Sequence, residues 1–280
     1  MAPFKDALLA LSTYPDPTPR PVIDQAIDLA SRLGAKLAAL APVLEDPKSF
    51  PGGGDWLFRM PLLMDNICRE SRTNADELLR HFEDRALRKG VHGGPILEPS
   101  ESYASPEVVV RHARQRDVTF VPVPEPIGLD ALYTESIIFD SGRPVILLPA
   151  APGVQRRPHA FANVVVAWDG SRAAARALGD AMPILAMADS IRVVTVPERP
   201  GIACPIEDLT RHLAMHEVRA AVERLEASHK SIGSILADCC GDQDLLVMGA
   251  FGHSRMREFV LGGATAFMVR NPPLPVFLSH

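Results

Sequence analysis

The chain has few cysteines and none of the spacings that make cysteine chemistry. Its four, Cys68, Cys204, Cys239 and Cys240, form no C-x-x-C pair, which argues against a zinc ribbon and a thioredoxin-type centre. The adjacent Cys239-Cys240 is a candidate redox pair, but buried free thiols in a reducing compartment are the expectation. No apolar run approaches the roughly 20 residues of a membrane span. The start, Met1 to Leu11, holds only the short run Ala7-Leu8-Leu9-Ala10-Leu11, less than a signal peptide wants, so a soluble cytoplasmic protein is expected. No predicted helix carries a Lys/Arg cluster and the formal net charge is −5, which argues against nucleic acid as a partner. Two enzyme signatures are missing as well. There is no G-x-x-x-x-G-K-[ST] loop, and Gly170-Ser171-Arg172 is no G-x-S-x-G elbow, so neither a strong ATPase nor a serine hydrolase is expected.

What the chain does have is enough apolar residues, 47% of 280, for two ordinary cores. It also has an internal repeat. Asp6–Leu11 and Asn163–Trp168 are matching apolar strands. Each leads to a helix with apolar residues at 3.6 spacing: Val22, Ile23, Ala26, Ile27, Ala30 and Leu33 before the stop Gly34, and Ala174, Ala177, Leu178, Ala181 and Leu185. Thr18-Pro19 and Ser171 are their start signals. Second strands follow at Leu37–Val43 and Ile191–Val196, and the halves close alike at Arg143–Leu148 and Leu274–Leu278. Alternating strands and helices predict an α/β fold of two tandem Rossmann-like domains, each a five-stranded, mostly parallel sheet with helices on both faces.

Between these matching ends the halves differ. The second is read as a short helix at Pro205–His216, a strand at Val218–Leu225 and a helix at His229–Cys240. The first has an irregular insert at Glu45–Met64, then a long helix over Leu63–Lys89 with Ile67, Leu78, Leu79, Phe82 and Leu87 on one face and Gly90 as its stop. The Pro-, Gly- and Arg-rich segment Ala150–His159 is the linker, giving domains at 1–150 and 161–280 around residues 151–160.

The strongest motif follows the strand at Leu245. Gly249-Ala250-Phe251-Gly252, nine residues, then Gly262-Gly263-Ala264-Thr265 predicts a buried strand, a glycine-hinged loop and a helix start. Backbone N–H groups there can surround a phosphate, and the helix N-terminus favours its charge. This pattern resembles the nucleotide-binding signature of the universal stress protein family. Gly249, Gly252 and Gly262 match its glycines, and Trp168-Asp169-Gly170-Ser171 matches its Asp at the first strand tip. Asn271–Leu278 resembles its closing strand.

The resemblance implies a stress-response or signalling protein that binds ATP or ADP, with or without Mg, and catalyses nothing quickly. Asp169 would hold the ribose or adenine side, Val196, Met248 and Gly249 would line the base and ribose, and Gly252, Gly262, Gly263, Ala264 and Thr265 would hold the phosphates. It also implies an intramolecular pseudo-dimer paired through Pro144–Leu148 and Pro275–Leu278. One position departs from the pattern. Gly263 stands where the family carries Ser or Thr, and a lost charge-assisted hydrogen bond is worth about 1.5–3 kcal/mol, roughly ten- to a hundredfold in affinity.

The corresponding loop of the first half is four residues shorter and reads Pro122-Val123-Pro124-Glu125-Pro126. Proline offers no N–H to a phosphate, while Glu125, Asp130 and Glu135 repel one. Ser12 replaces the Asp at the strand tip. The first domain is therefore expected to be a degenerate copy that binds no nucleotide.

Other constellations are weaker. His212 and His216 have i, i+4 spacing but no clear third ligand, and a solvated helix face is the better reading. His253, Arg255 and Arg257 lie in the glycine loop, where solvent is the simplest partner. Phe267, with Met215 or Met187, and the segment Trp56–Met64 are the candidate apolar surfaces for a second copy or another protein, and they support the rival reading of a scaffold that binds no nucleotide.

Overall fold

A computed structural model describes residues 4–45, 60–101, 106–124, 130–150, 161–196, 206–226, 229–241, 244–250 and 263–280. In the first half the order is β1 (Asp6–Ala10), α1 (Arg20–Leu33), β2 (Lys36–Leu44), α2 (Met60–Lys89), β3 (His92–Ser100), α3 (Glu107–Ala113), β4 (Val118–Val123), α4 (Asp130–Asp140) and β5 (Val145–Pro149). The second half repeats it: β6 (Asn163–Ala167), α5 (Arg172–Leu185), β7 (Ser190–Thr195), α6 (Ile206–Met215), β8 (Ala221–Arg224), α7 (Ile232–Cys239), β9 (Asp244–Gly249), α8 (Gly263–Arg270) and β10 (Val276–Ser279).

The strands form one ten-stranded sheet in the order β3-β2-β1-β4-β5-β10-β9-β6-β7-β8. Each half is a parallel five-stranded unit, and the two join where β5 meets β10 antiparallel, with Phe277 opposite Ile146. This is the pairing of closing strands that the family resemblance implies. The apolar runs are continuous because both faces are covered. Successive residues alternate between two cores: Leu9, Ile146, Val166, Val247 and Phe277 face the cluster under α1, α2, α5 and α6. Leu8, Leu147, Val165, Leu246 and Leu278 face the cluster under α3, α4, α7 and α8.

Local signals explain most boundaries. The expected apolar faces of α1 and α5 are buried throughout. Gly34 and Gly90 stop α1 and α2 in the left-handed conformation, at φ 67° and 72°. The Ser171 hydroxyl caps α5 by accepting from the Ala174 N–H. Thr18 behaves differently from its expected role. Its hydroxyl turns back to accept from the Ser12 N–H at 2.9 Å, and Pro19 takes the cap position without a side-chain bond.

Several sequence expectations need adjustment. Leu87 is 62% exposed, because the buried face of α2 runs through Ala75, Leu78, Leu79, Phe82 and Ala86. Position 87 lies five residues beyond Phe82, away from that face. The strand β3, His92-Gly-Gly-Pro-Ile-Leu-Glu-Pro-Ser, carries too much Gly and Pro to be read as a strand. It forms because it is an edge, where proline costs no essential ladder bond. At the opposite edge β8 covers Ala221–Arg224, shorter than its expected span. The strand β4 runs on through Pro122 and Val123, which pair with Leu148 and Pro149 of β5. The segment containing Trp56 lies outside the described residues.

Candidate functional site

In the second half β6 and β9 lie side by side, and the chain runs to opposite sides after them. Such a reversal opens a crevice at the carboxyl ends of the strands. Asp169 is the exposed second residue beyond β6. Its Oδ1 accepts from the Ser171 N–H at 2.8 Å, so the carboxylate closes its own turn before α5. Gly170, at φ 75°, completes that turn.

Gly249 ends β9 at the same edge, and its hydrogen is a packing requirement. A Cβ there would stand 2.4 Å from the Ala173 carbonyl carbon and 2.5 Å from the Ala174 nitrogen. The first turn of α5 thus seats directly on β9. The sequence pointed to a phosphate loop at Gly249, and the structure adds this steric reason for the residue. Met248 is 5% exposed and packs into the apolar cluster beneath α7 and α8. Val196, just past β7, and Ala264 pack partly against that cluster.

The helix α8 opens with exposed Gly263, then half-buried Ala264 and buried Thr265. A Cβ at Gly263 would meet nothing within 4 Å. The backbone amides of this first turn have no intrahelical acceptor and suit an anion. Gly252 and Gly262 of the expected site, with His253, Arg255 and Arg257, lie outside the described residues. Asp169, Val196, Met248, Gly249, Gly263, Ala264 and Thr265 are described, and the strand order brings the tips of β6 and β9 to one edge. This edge thus carries an acidic side chain at one strand tip, an apolar flank and a helix start whose amides suit an anion.

The corresponding edge of the first half is built otherwise. The loop after β1 is tied down by hydroxyls. The Thr13 hydroxyl donates to the Pro42 carbonyl at 2.7 Å and lies 2.9 Å from the Ser71 hydroxyl of α2. Ser71 also accepts from the Leu44 N–H, and Asn74 Nδ2 donates to the Thr13 carbonyl. The Tyr14–Pro15 peptide is cis. Between these residues and the tip of β4 lies a cleft open to solvent, lined by Thr13, Tyr14, Asp16, Pro122, Tyr133 and Thr134 among others. Sequence reasoning missed this cleft. The available signal was Thr134, the counterpart of Thr265, which is likewise buried in the first turns of its helix.

The candidate surface features separate in space. Phe267 packs partly against the cluster under α7 and α8, where a Cβ on Gly233 would stand 2.5 Å from its Cβ. Met187 packs on the opposite face of the sheet. Met215, on α6, is 81% exposed. They therefore do not make one patch, because the sheet itself stands between Phe267 and Met187. His212 and His216 stack edge to face at 4.9 Å, and the described residues hold no group of three metal-ligating side chains. Cys239 and Cys240 are half-buried and form no disulfide, and the Cys239 thiol donates to the Leu236 carbonyl. Among the described residues no helix is long and apolar enough to cross a membrane.

Two titrations depart from ordinary values. The His112 hydrogen bond holds the Glu98 carboxyl low, and Arg111 adds to the effect against a smaller burial penalty. Burial pushes Glu135 of α4 up, opposed in part by the charge of Arg270 on α8. Those two helices meet across the junction of the halves, where Phe139 and His280 also form an edge-to-face pair at 5.1 Å.

No family model and no curated protein matches the sequence. Solved structures do match the fold. A universal stress protein from Archaeoglobus fulgidus DSM 4304 is similar over 98% of this chain and 95% of its own, at 15% identity and a TM-score of 0.67. A functionally unknown protein from Pseudomonas aeruginosa PAO1 is similar over 99% of this chain and 92% of its own, at 11% identity and a TM-score of 0.57. The doubled sheet, the crevice between β6 and β9 and the full-length match together establish that this chain has the fold seen in universal stress proteins.

Proposed function

We propose that the second half binds ATP or ADP, and that the protein acts as a nucleotide-responsive stress or signalling component without fast catalysis. The observation that carries this reading is the juxtaposition at the β6–β9 crevice. Asp169 leaves one strand tip, Gly249 ends the other, and α8 presents an open Gly263 in its first turn. Thr265 stands two residues further on, in the same first turn. The glycines of the sequence motif at Gly252 and Gly262 complete the set of backbone donors that such a phosphate site needs. Phosphate contacts order a loop and the helix after it, which links occupancy to a surface change.

Catalysis has less support. Asp169 spends one carboxylate oxygen on its own turn, and a binding role explains it better than a general base does. Turnover above background that disappears in Asp169→Ala would overturn the non-catalytic part of the reading.

Binding itself is tested on freshly purified protein. Mass spectrometry after denaturation should release ATP or ADP, and calorimetry of the emptied protein should give one site. An empty protein that gives no heat at millimolar ATP would reject the proposal. A Gly252→Val variant that binds ATP as well as the native chain would reject the placement.

A further inference from the structure

The cleft at the carboxyl edge of the first half has a chemistry of its own, independent of the nucleotide reading. It sits between the ends of β1 and β4, where the strand order 3-2-1-4-5 reverses and ligands of α/β sheets bind. Among the described residues its walls carry one carboxylate and five hydroxyls but no cationic side chain. Four of the residues that line it, Pro15, Pro42, Pro122 and Pro124, have no N–H at all. Three further N–H groups on its walls are already engaged: Leu11 donates to Leu40, Ser12 to Thr18 and Leu44 to Ser71. Among the described residues of the walls the one formally charged side chain is Asp16, which makes no ion pair with another described residue. Thr134, only 2% exposed, also lines the cleft. Two tyrosine rings, Tyr14 and Tyr133, complete the lining.

A phosphate needs positive charge, and the described walls of this cleft carry no cationic side chain. A ligand that suits it brings donors and positive charge of its own. An alkylammonium group carries three N–H donors and no acceptor, attracts a carboxylate, and is favoured over aromatic faces. Its alkyl part fits the proline and tyrosine carbon surface. The Thr13–Ser71–Asn74 hydrogen bonds hold the wall in place before any ligand arrives.

We propose that the first half binds a small primary alkylammonium ion in this cleft, with Asp16 as the counter-charge and Thr134 as a hydrogen-bonding partner. The test is calorimetry on the full chain with n-butylammonium chloride, and with 1-butanol as a neutral molecule of similar shape. Butylammonium should bind one per chain, and at least tenfold more tightly than butanol. Asp16→Asn should weaken butylammonium at least fivefold without changing the melting temperature, because Asp16 is exposed and makes no ion pair among the described residues. Thr134→Val should weaken it about threefold. No butylammonium heat with the native chain, equal binding of butanol, or an unchanged affinity in Asp16→Asn would each overturn the proposal. ATP titrated into Asp16→Asn should behave as with the native chain, and failure of ATP to bind either protein would bear on the second half alone.

Discussion

The two halves repeat the same strands and differ at their tips. After β6 the chain makes a short exposed turn closed by Asp169 and Gly170, and the partner strand β9 ends in a glycine pressed against α5. After β1 the chain makes a longer loop, pinned to α2 by Thr13, Ser71 and Asn74, and β4 ends in prolines. One architecture thus carries two kinds of mouth, one beside the start of α8 and one lined by prolines, hydroxyls and a carboxylate. The sheet tolerates this because its stability resides in the buried alternation of both faces, while the tips contribute little to that burial. Functional chemistry at such tips diverges without disturbing the cores.

The largest way to break the comparison is Gly249→Ala. Its Cβ would overlap backbone atoms of α5, which cannot move as a flexible side chain would. We expect a loss of about 3 kcal/mol, read as a lower denaturation midpoint, with weaker ATP binding alongside. A midpoint unchanged from the native protein would show that α5 slides freely over β9.

Thr13→Val acts on the other mouth. It removes the bond to Pro42 and the contact with Ser71 inside a buried site, at a cost of about 1–3 kcal/mol by the same measurement. Butylammonium binding should weaken with it, and ATP binding should not.

Gly263→Ser sharpens the comparison by adding what the second mouth lacks. The site has open space for a Cβ, and the φ is not of the glycine-favouring kind. The new hydroxyl should tighten ATP binding roughly three- to tenfold, by calorimetry. No change in affinity would separate Gly263 from the phosphate site.

The smallest effect lies at the joint between halves. Burial raises Glu135, so its folded value lies above the unfolded one. The protonated form is favoured in the folded state, and that contribution is fully present below the unfolded value of 4.5 and fades as pH rises through the raised one. Glu135→Gln should therefore raise the melting temperature slightly at pH 7 and leave it unchanged at pH 4. A larger gain at pH 4 than at pH 7 would contradict the burial argument.

Local rules explain what was legible in advance. The apolar positions of α1 and α5 follow from a 3.6 period, and Gly34 and Gly90 are stops because a left-handed residue ends a helix. The glycine motif from Gly249 to Thr265 is read from spacing alone, and residues 251–262 of it lie outside the described residues. The edge strand β3 was not legible, since it has the composition of a loop and is a strand only through its partner β2. Leu87 misled for a related reason: an apolar residue near a periodic face was counted in, though its angle places it in solvent.

The sequence by itself determined the repeat, the buried strands, the glycine loop of one half and the prolines of the other, all of which are written in neighbouring residues. Tertiary structure decided the rest. It placed β10 against β5 and so joined ten strands into one sheet. It set α5 on Gly249 and laid α2 across the β1 loop, and with it made a cleft where the prolines had suggested only a lost site. These features depend on which surfaces meet and how closely, and atoms far apart along the chain become neighbours only when the cores pack.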